Sequence, residues 1–204
     1  PQKRSRFLIL HNPMAGRNGE SLAHQVAGAL RQRGAQADVG VLDGNTDPAE
    51  NFASPYDAVV VSGGDGSIRA MAERTAAEHV PLGIIPNGTG NVLAQEFGLA
   101  RTPAELARVL IAGRTVPIHG GTVNGVPFLL MFGAGFDGRV VGRLSRPIVQ
   151  RIGKLAYAWP ILQAIIETPV AFEVMLDGQL FVTSWLLITN ASHYGARFHL
   201  TSRT

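Results

Sequence analysis

Four short stretches hold the residues whose types and spacing could do chemistry. In Gly63-Gly64-Asp65-Gly66-Ser67 the glycines let backbone N–H groups approach phosphate oxygens without Cβ clashes, and the Ser67 hydroxyl can donate to one of them. Asp65 is a misfit beside bare phosphate. It makes sense as a Mg²⁺ ligand, or as the acceptor of a proton from an attacking hydroxyl. Gly88-Thr89-Gly90-Asn91 repeats the arrangement without the acid and reads as a second phosphate or nucleotide contact. Asn12-Pro13 with Gly16 is a candidate third contact, although alone it is ordinary turn chemistry. In Phe132-Gly133-Ala134-Gly135-Phe136-Asp137-Gly138 an apolar run ends in two glycines and an acid, a pattern that also suits a β-bulge with a turn. Any one glycine loop is equally a plain strand-to-helix turn. Two of them, one with a flanked Asp, favour a ligand.

The elements that must position these loops follow from hydrophobic periodicity. Residues 6–11 read as a buried strand, and Ser21 is a candidate cap for a helix with Leu22, Val26, Ala29 and Leu30 on one face and a stop at Gly34. Ala37–Leu42 alternates as a second strand, followed by a polar turn at 43–45. The β-branched run 56–62 is a third strand that stops at Gly63. Ser67 is placed to cap the next helix, in which Ile68, Met71, Ala72 and Thr75 recur at helical spacing. Pro81–Ile85 is a fourth strand, and Val92–Phe97 resumes a helical pattern. Thr102-Pro103-Ala104-Glu105 has the spacing of a capping box, and its helix runs to Gly113. Strands alternating with helices over 6–113 predict a parallel, doubly wound α/β sheet, with both glycine loops at the carboxyl ends of strands, where such sheets bind ligands.

Beyond residue 113 the pattern changes to strands: Val116–Ile118, Gly121–Val123 and Val126–Phe132, with a hairpin at Asn124-Gly125. Val170–Leu176 and Leu180–Asn190 form a second hairpin pair around Asp177-Gly178. The expected division falls near residues 113–118, giving an α/β nucleotide-binding domain over 1–115 and a β-rich domain over 116–204. A basic, apolar, helical insert occupies 139–167 of the latter. It carries Arg139, Arg143, Arg146, Arg151 and Lys154, and no acid lies between Asp137 and Glu167. Such a segment either packs on a sheet with a solvated basic rim or lies in an anionic membrane interface, with Arg143, Arg146, Arg151 and Lys154 as lipid contacts.

Composition narrows the classes. The 204 residues are 46% hydrophobic and 16% charged, which is globular and excludes a disordered chain. Mean hydropathy is +0.13, yet every apolar run is broken short of the roughly 18 residues a spanning helix needs. Pro1 and its basic neighbours lead directly into a strand-like run, not a secretory signal. With no Cys, disulfides, thiolate catalysis and Cys-ligated zinc are excluded, and a cytoplasmic setting is permitted. Lys stands only at positions 3 and 154, so no Walker-type phosphate site is present. A net charge of +3 does not call for nucleic acid as a partner. The six His show no metal-ligand spacing.

Taken in order, Asn12-Pro13-x-x-Gly16, Gly63–Ser67, Pro86-x-Gly88-Thr89-Gly90-Asn91 and Gly133-x-Gly135-Phe136-Asp137 resemble the diacylglycerol kinase catalytic family, which includes bacterial lipid kinases and is related to sphingosine and ceramide kinases. Lys154 with Tyr157, and Asn190 with Tyr194-Gly195, extend the likeness over essentially the whole chain. The resemblance implies an NAD-kinase-like α/β domain followed by a β-rich, sandwich-like domain, with the active site between them. It implies transfer of the γ-phosphoryl group of ATP, with Mg²⁺, to a lipid hydroxyl. Asn12, Pro13, Gly16, Gly63, Gly64, Asp65, Gly66, Ser67, Gly88, Thr89, Gly90 and Asn91 would bind nucleotide. Asp65 would organise metal or act on the hydroxyl, and Asp137 would face the acceptor.

The chain departs from the family pattern at Ser67 (usually Thr), Arg69 and Ala70 (Asn, then Glu), His119 (Asp), Leu42 (Thr) and Val92 (often Asp). The family continues beyond the Asn190–Gly195 segment into further strands, so the β-rich part is expected to be incomplete at its carboxyl end. A cytoplasmic protein, with a peripheral position at the inner face of the membrane and homo-oligomers open to it, fits this resemblance. The alternatives are a soluble kinase of the NAD kinase or phosphofructokinase type and a catalytically impaired nucleotide-binding module.

Overall fold

The structure is a computed structural model that describes residues 3–16, 19–42, 56–99, 101–190, 193–194 and 198–199. It divides into two compact units, Pro1–His119 with Ser192–Arg203, and Gly120–Ala191. In the first unit β1 (Arg6–His11), β2 (Gln36–Val41), β3 (Ala58–Gly63) and β4 (Leu82–Pro86) form one sheet in the order β2-β1-β3-β4. All three pairings are parallel, with Leu8 opposite Asp38 and Val59, and Val60 opposite Gly83. The central strands β1 and β3 are buried along almost their whole length, which is why they read as continuous apolar runs.

Helices cover the sheet. α1 (Gly19–Arg31) and α4 (Pro103–Ala112) contribute Val26, Leu30, Leu106 and Leu110 to a core with Phe7, Ile9, Val60 and Ile85. α2 (Asp65–Ala77) buries Ile68 and Met71, and α3 (Val92–Glu96) is a single short turn of helix. At α4 the Glu105 N–H donates to Thr102 Oγ1, Gly113 closes the end in the left-handed region, and the expected cap and stop are both present.

Two caps fall elsewhere. α1 begins at Gly19, so Ser21 lies inside the helix, where its hydroxyl accepts from Gln25 Nε2 at 3.1 Å. α2 begins at Asp65 with Gly64 as its cap residue, so Ser67 sits buried in the first turn and makes no cap. The helix starts earlier because the chain leaves β3 already turning, with the Ser67 and Ile68 N–H groups both reaching Gly64 O.

The second unit is built from pairs of strands and a run of helices. β5 (Gly121–Val123) and β6 (Val126–Phe128) form the Asn124-Gly125 hairpin, both turn residues having positive φ as its two-residue turn requires. β7 (Met131–Gly135) passes directly into α5 (Phe136–Gly142). α6 (Arg146–Ile152), a 3₁₀ segment (Gly153–Tyr157) and α7 (Ala158–Ile166) follow, so the 139–167 segment is helical as expected. β8 (Phe172–Leu176) and β9 (Gln179–Thr183) make the hairpin around Asp177-Gly178, and β10 (Trp185–Thr189) pairs antiparallel with β7. β11 (His193–Tyr194) pairs with β12 (Phe198–His199), in the segment that belongs to the first unit.

Three strand expectations need correction. Val116–Ile118 forms no strand: Val116 and Ile118 are exposed, and no strand among the described residues pairs with them. Val126–Phe132 is two strands separated by a bend at Leu129-Leu130, since β6 pairs with β5 and β7 with β10. Leu180–Asn190 divides at Ser184 for the same reason, its halves serving β8 and β7. The polar turn at 43–45 lies outside the described residues.

Candidate functional site

Strand order reverses between β1 and β3, which puts the switch point of the sheet at their carboxyl ends. Three loops leave there: Asn12–Gly16 after β1, Gly64 after β3 and Asn87–Asn91 after β4. Side chains lock them together. Asn12 Nδ2 donates to Ser67 Oγ at 2.8 Å across the switch point, while Asn12 Oδ1 accepts from the Met14 N–H. Asn87 Nδ2 donates to Ala15 O at 2.7 Å, and Gly16 lies against the Asn87 backbone and side chain. Asn91 holds its own loop, accepting from the Gly88 N–H and donating to Gly88 O, both at 2.7 Å.

Gly64 and Gly88 touch backbone to backbone, and a Cβ on Gly88 would sit 2.5 Å from Gly64 Cα. Glycine is required at this crossing by close approach alone. Gly66 faces open space within the first turn of α2, and Thr89 is exposed.

Asp65 joins two of the loops. Its Oδ2 accepts from the Val92 N–H and its Oδ1 from the Leu93 N–H, each at 3.0 Å, so the carboxylate caps α3 from the start of α2. This satisfies two of the donors a helix start leaves open. A carboxylate oxygen carries a second lone pair, so Asp65 fits a Mg²⁺ site of the kind that takes one carboxylate and completes its shell with water and phosphate. No cluster of three metal-ligating side chains exists among the described residues.

Asp137 belongs to the second unit. It lies in the first turn of α5 and is 5% exposed, with Gly133 packed against its side chain. Trp185 Nε1 donates to Asp137 Oδ2 at 2.5 Å, and the Trp185 ring leans on Phe136 with centroids 5.8 Å apart. β10 sets this contact by pairing Trp185 with Gly135. Of the basic residues, Arg143 pairs with Glu167 at 2.6 Å and Arg139 donates to Thr168 O at 3.3 Å, while Arg151 is exposed. The side chains of Arg146 and Lys154 lie outside the described part.

Sequence reasoning missed Asn87, Trp185 and His11. Asn87 stands between a strand end and a glycine loop, a position that could have drawn notice. Trp185 touches Asp137 only through strand pairing, which leaves no local signal. His11 ends β1 buried, and its Nδ1 has no partner among the described residues.

The same fold is found in solved structures. A crystal structure of a diacylglycerol kinase from Bacillus anthracis superposes with a TM-score of 0.70 at 24% identity, covering 96% of this chain and 68% of that one. Fold and loops therefore define a mixed α/β protein with a parallel sheet and added β-rich elements. At the sequence level, the model of the diacylglycerol kinase catalytic domain matches residues 6–123, and the chain belongs to that family. A diacylglycerol kinase of Mycobacterium tuberculosis is 32% identical over 202 residues, 91% of this chain and 65% of that protein. The Bacillus subtilis diacylglycerol kinase is 29% identical over 189 residues, 88% of this chain and 61% of that protein. The chain thus spans less than two thirds of the length of these curated relatives.

Proposed function

We propose that this chain carries the nucleotide site and part of the acceptor site of an ATP-dependent lipid kinase. In the reaction a lipid hydroxyl oxygen bonds to the γ-phosphorus of ATP, the bond to the β–γ bridging oxygen breaks, ADP leaves, and the hydroxyl proton passes to a base. Such transfer needs positioning and charge neutralisation more than covalent help from the protein. The observation that carries the reading is the convergence of three side-chain-locked loops at the switch point of a parallel sheet.

In this reading Asn12, Pro13 and Gly16, the Gly63–Ser67 loop and Gly88–Asn91 hold nucleotide. Mg²⁺ held by Asp65 and the phosphates would neutralise charge on the transferring group. Asp137 serves the acceptor side. Diacylglycerol is the favoured acceptor, taken up by a cytoplasmic protein at the membrane surface.

Labelled ATP supplied with mixed diacylglycerol micelles, fructose 6-phosphate or NAD tests this directly. Label should appear in the organic phase. Label on the sugar or the dinucleotide would replace the reading with a soluble kinase. A nucleotide-binding module without turnover is the second reading, favoured by Asp65 spending both oxygens on the α3 cap. Asp65→Asn separates the two. Both readings expect a modest loss of stability from the weakened α3 cap; the kinase reading adds a loss of about 10²–10⁴-fold in kcat below the melting transition, and a purely capping Asp65 would change stability alone.

A further inference from the structure

In the first sheet β3 lies between β1 and β4, so the axes of those two strands are roughly 10 Å apart. Yet Asn87, the first residue after β4, reaches the loop that leaves β1 and donates from Nδ2 to Ala15 O at 2.7 Å. The contact forms because the Asn12–Gly16 segment crosses the carboxyl end of β3, against the start of the Gly63–Ser67 loop. Asn12 marks the same path, since its Nδ2 donates to Ser67 Oγ at 2.8 Å.

The two ends of that segment are held differently. At its start the Asn12–Ser67 bond is joined by a closed turn, in which the Ala15 N–H donates to Asn12 O at 3.0 Å. At its far end, among the described residues, Ala15 O is held by the Asn87 side chain alone. Gly16 follows with a φ of +66°, a residue that gives the backbone latitude and fixes nothing by itself.

Asn87 is suited to hold this end by where it stands. Its own N–H donates to Gly63 O at 3.0 Å, which prolongs the β3–β4 ladder by one residue and ties its backbone to the sheet. A carbonyl oxygen only accepts, so the amide must turn Nδ2 towards Ala15. The oxygen side of the residue lies against Gly16, where a Cβ would collide with Asn87 O and stand 2.7 Å from Oδ1. One residue thus touches the loops after β1 and β3 and opens the loop after β4.

We propose that Asn87 is a positioning residue for the nucleotide. Acting through Ala15, it holds the Asn12–Gly16 segment against the Gly63–Ser67 loop in the geometry that receives the phosphates of ATP. The role rests on the nucleotide-binding reading of these loops, and Asn87 needs no contact of its own with the reacting atoms.

Binding of ATP with Mg²⁺ to the full chain is measured by titration calorimetry, beside thermal melts and turnover with diacylglycerol micelles. Asn87→Ala should raise the dissociation constant about tenfold, the scale of one hydrogen bond. Asn87→Asp keeps the shape but sets a carboxylate against Ala15 O, so its loss should be larger. KM for ATP should rise in parallel, while kcat and KM for diacylglycerol stay within about twofold. Gly16→Ala forces the same seam apart from the other side and should also weaken ATP binding. Melting of Asn87→Ala should fall by only about 2–4 °C.

Asn87 variants that melt lower but bind ATP like wild type overturn the proposal, leaving Asn87 a structural tie. A loss confined to kcat, with the dissociation constant unmoved, overturns it as well. Wild-type chain that binds no ATP would end the nucleotide reading and this role with it. ATP binding that weakens in the variants, without turnover of any lipid, would support the role and end the kinase reading alone.

Discussion

The two units treat their large apolar residues in opposite ways. In the first, Phe7, Ile9, Leu10, Leu30, Ile68 and Met71 are fully buried between a four-stranded sheet and its helices. In the second, only Val140, Ala156, Pro160 and Ala164 are buried among the described apolar residues, while Trp159, Ile166, Met175, Val182 and Trp185 face water. The cause is architectural. A parallel sheet flanked by helices encloses both faces of its central strands. Among the described residues the second unit has only two-stranded pairings, and a pair of strands has too little surface to enclose a core. Stability of the first unit is therefore set by packing, and that of the second by individual polar contacts.

The largest effect should come from a core truncation. Ile9→Ala should cost about 2–5 kcal/mol, whereas Ile166→Ala should stay within about 0.5 kcal/mol. Chemical denaturation of both variants checks this, and similar losses would break the contrast. Next is the polar anchor of the second unit: Trp185→Phe removes an indole donor from the buried Asp137 carboxylate and should cost about 1.5–3 kcal/mol. A second-unit unfolding step that does not move would mean Asp137 is held by other contacts.

Gly88→Ala should follow, destabilising the first unit by about 1–3 kcal/mol through the collision with Gly64. Gly66→Ala meets open space and should leave the melting transition in place while weakening nucleotide binding. Thermal melts with and without ATP read both.

The smallest effect concerns pH. The Asp57 carboxyl lies below the ordinary carboxylate range, first because the Ser5 N–H donates to it at 2.6 Å, and further through the Arg6 N–H, the Ser5 hydroxyl and the Arg6 charge, against some opposing burial. A depressed folded-state pKa stabilises above the unfolded value of about 3.9 and is lost as pH falls through the folded value. Asp57→Asn should lower Tm by about a degree or two at neutral pH, in keeping with a partly exposed group, and the difference should vanish in acid.

Much of the first unit was legible because its signals are local. Strand runs ending at Gly63 and Pro86, the Thr102–Glu105 box and the Gly113 stop each act within a few residues. The hairpins at Asn124-Gly125 and Asp177-Gly178 are local in the same sense. Where the answer depended on distant partners, the pattern was silent. Nothing in 126–132 or 180–190 says that each run serves two different strands. Apolar spacing in 139–167 predicted helices but could not say that Ala156, Pro160 and Ala164 would be chosen for burial over Leu155 and Trp159. In the site, the glycines were readable by type. Asp65 as the cap of α3, and Trp185 on Asp137, join residues 27 and 48 positions apart.

By itself the sequence determined that four apolar runs become strands, that glycine-bearing loops follow three of them, and that a basic segment free of acids lies beyond. These follow from backbone sterics and hydrophobic periodicity, which are properties of neighbouring residues. Only the tertiary structure decided the strand order that brings those loops to one edge, the backbone crossing of Gly64 and Gly88, the partners of Asp65 and Asp137, and the outward turn of the large residues of α7. Each of these depends on which surfaces meet. That is settled by burial and hydrogen bonding summed over the whole chain, and no local run of residues encodes it.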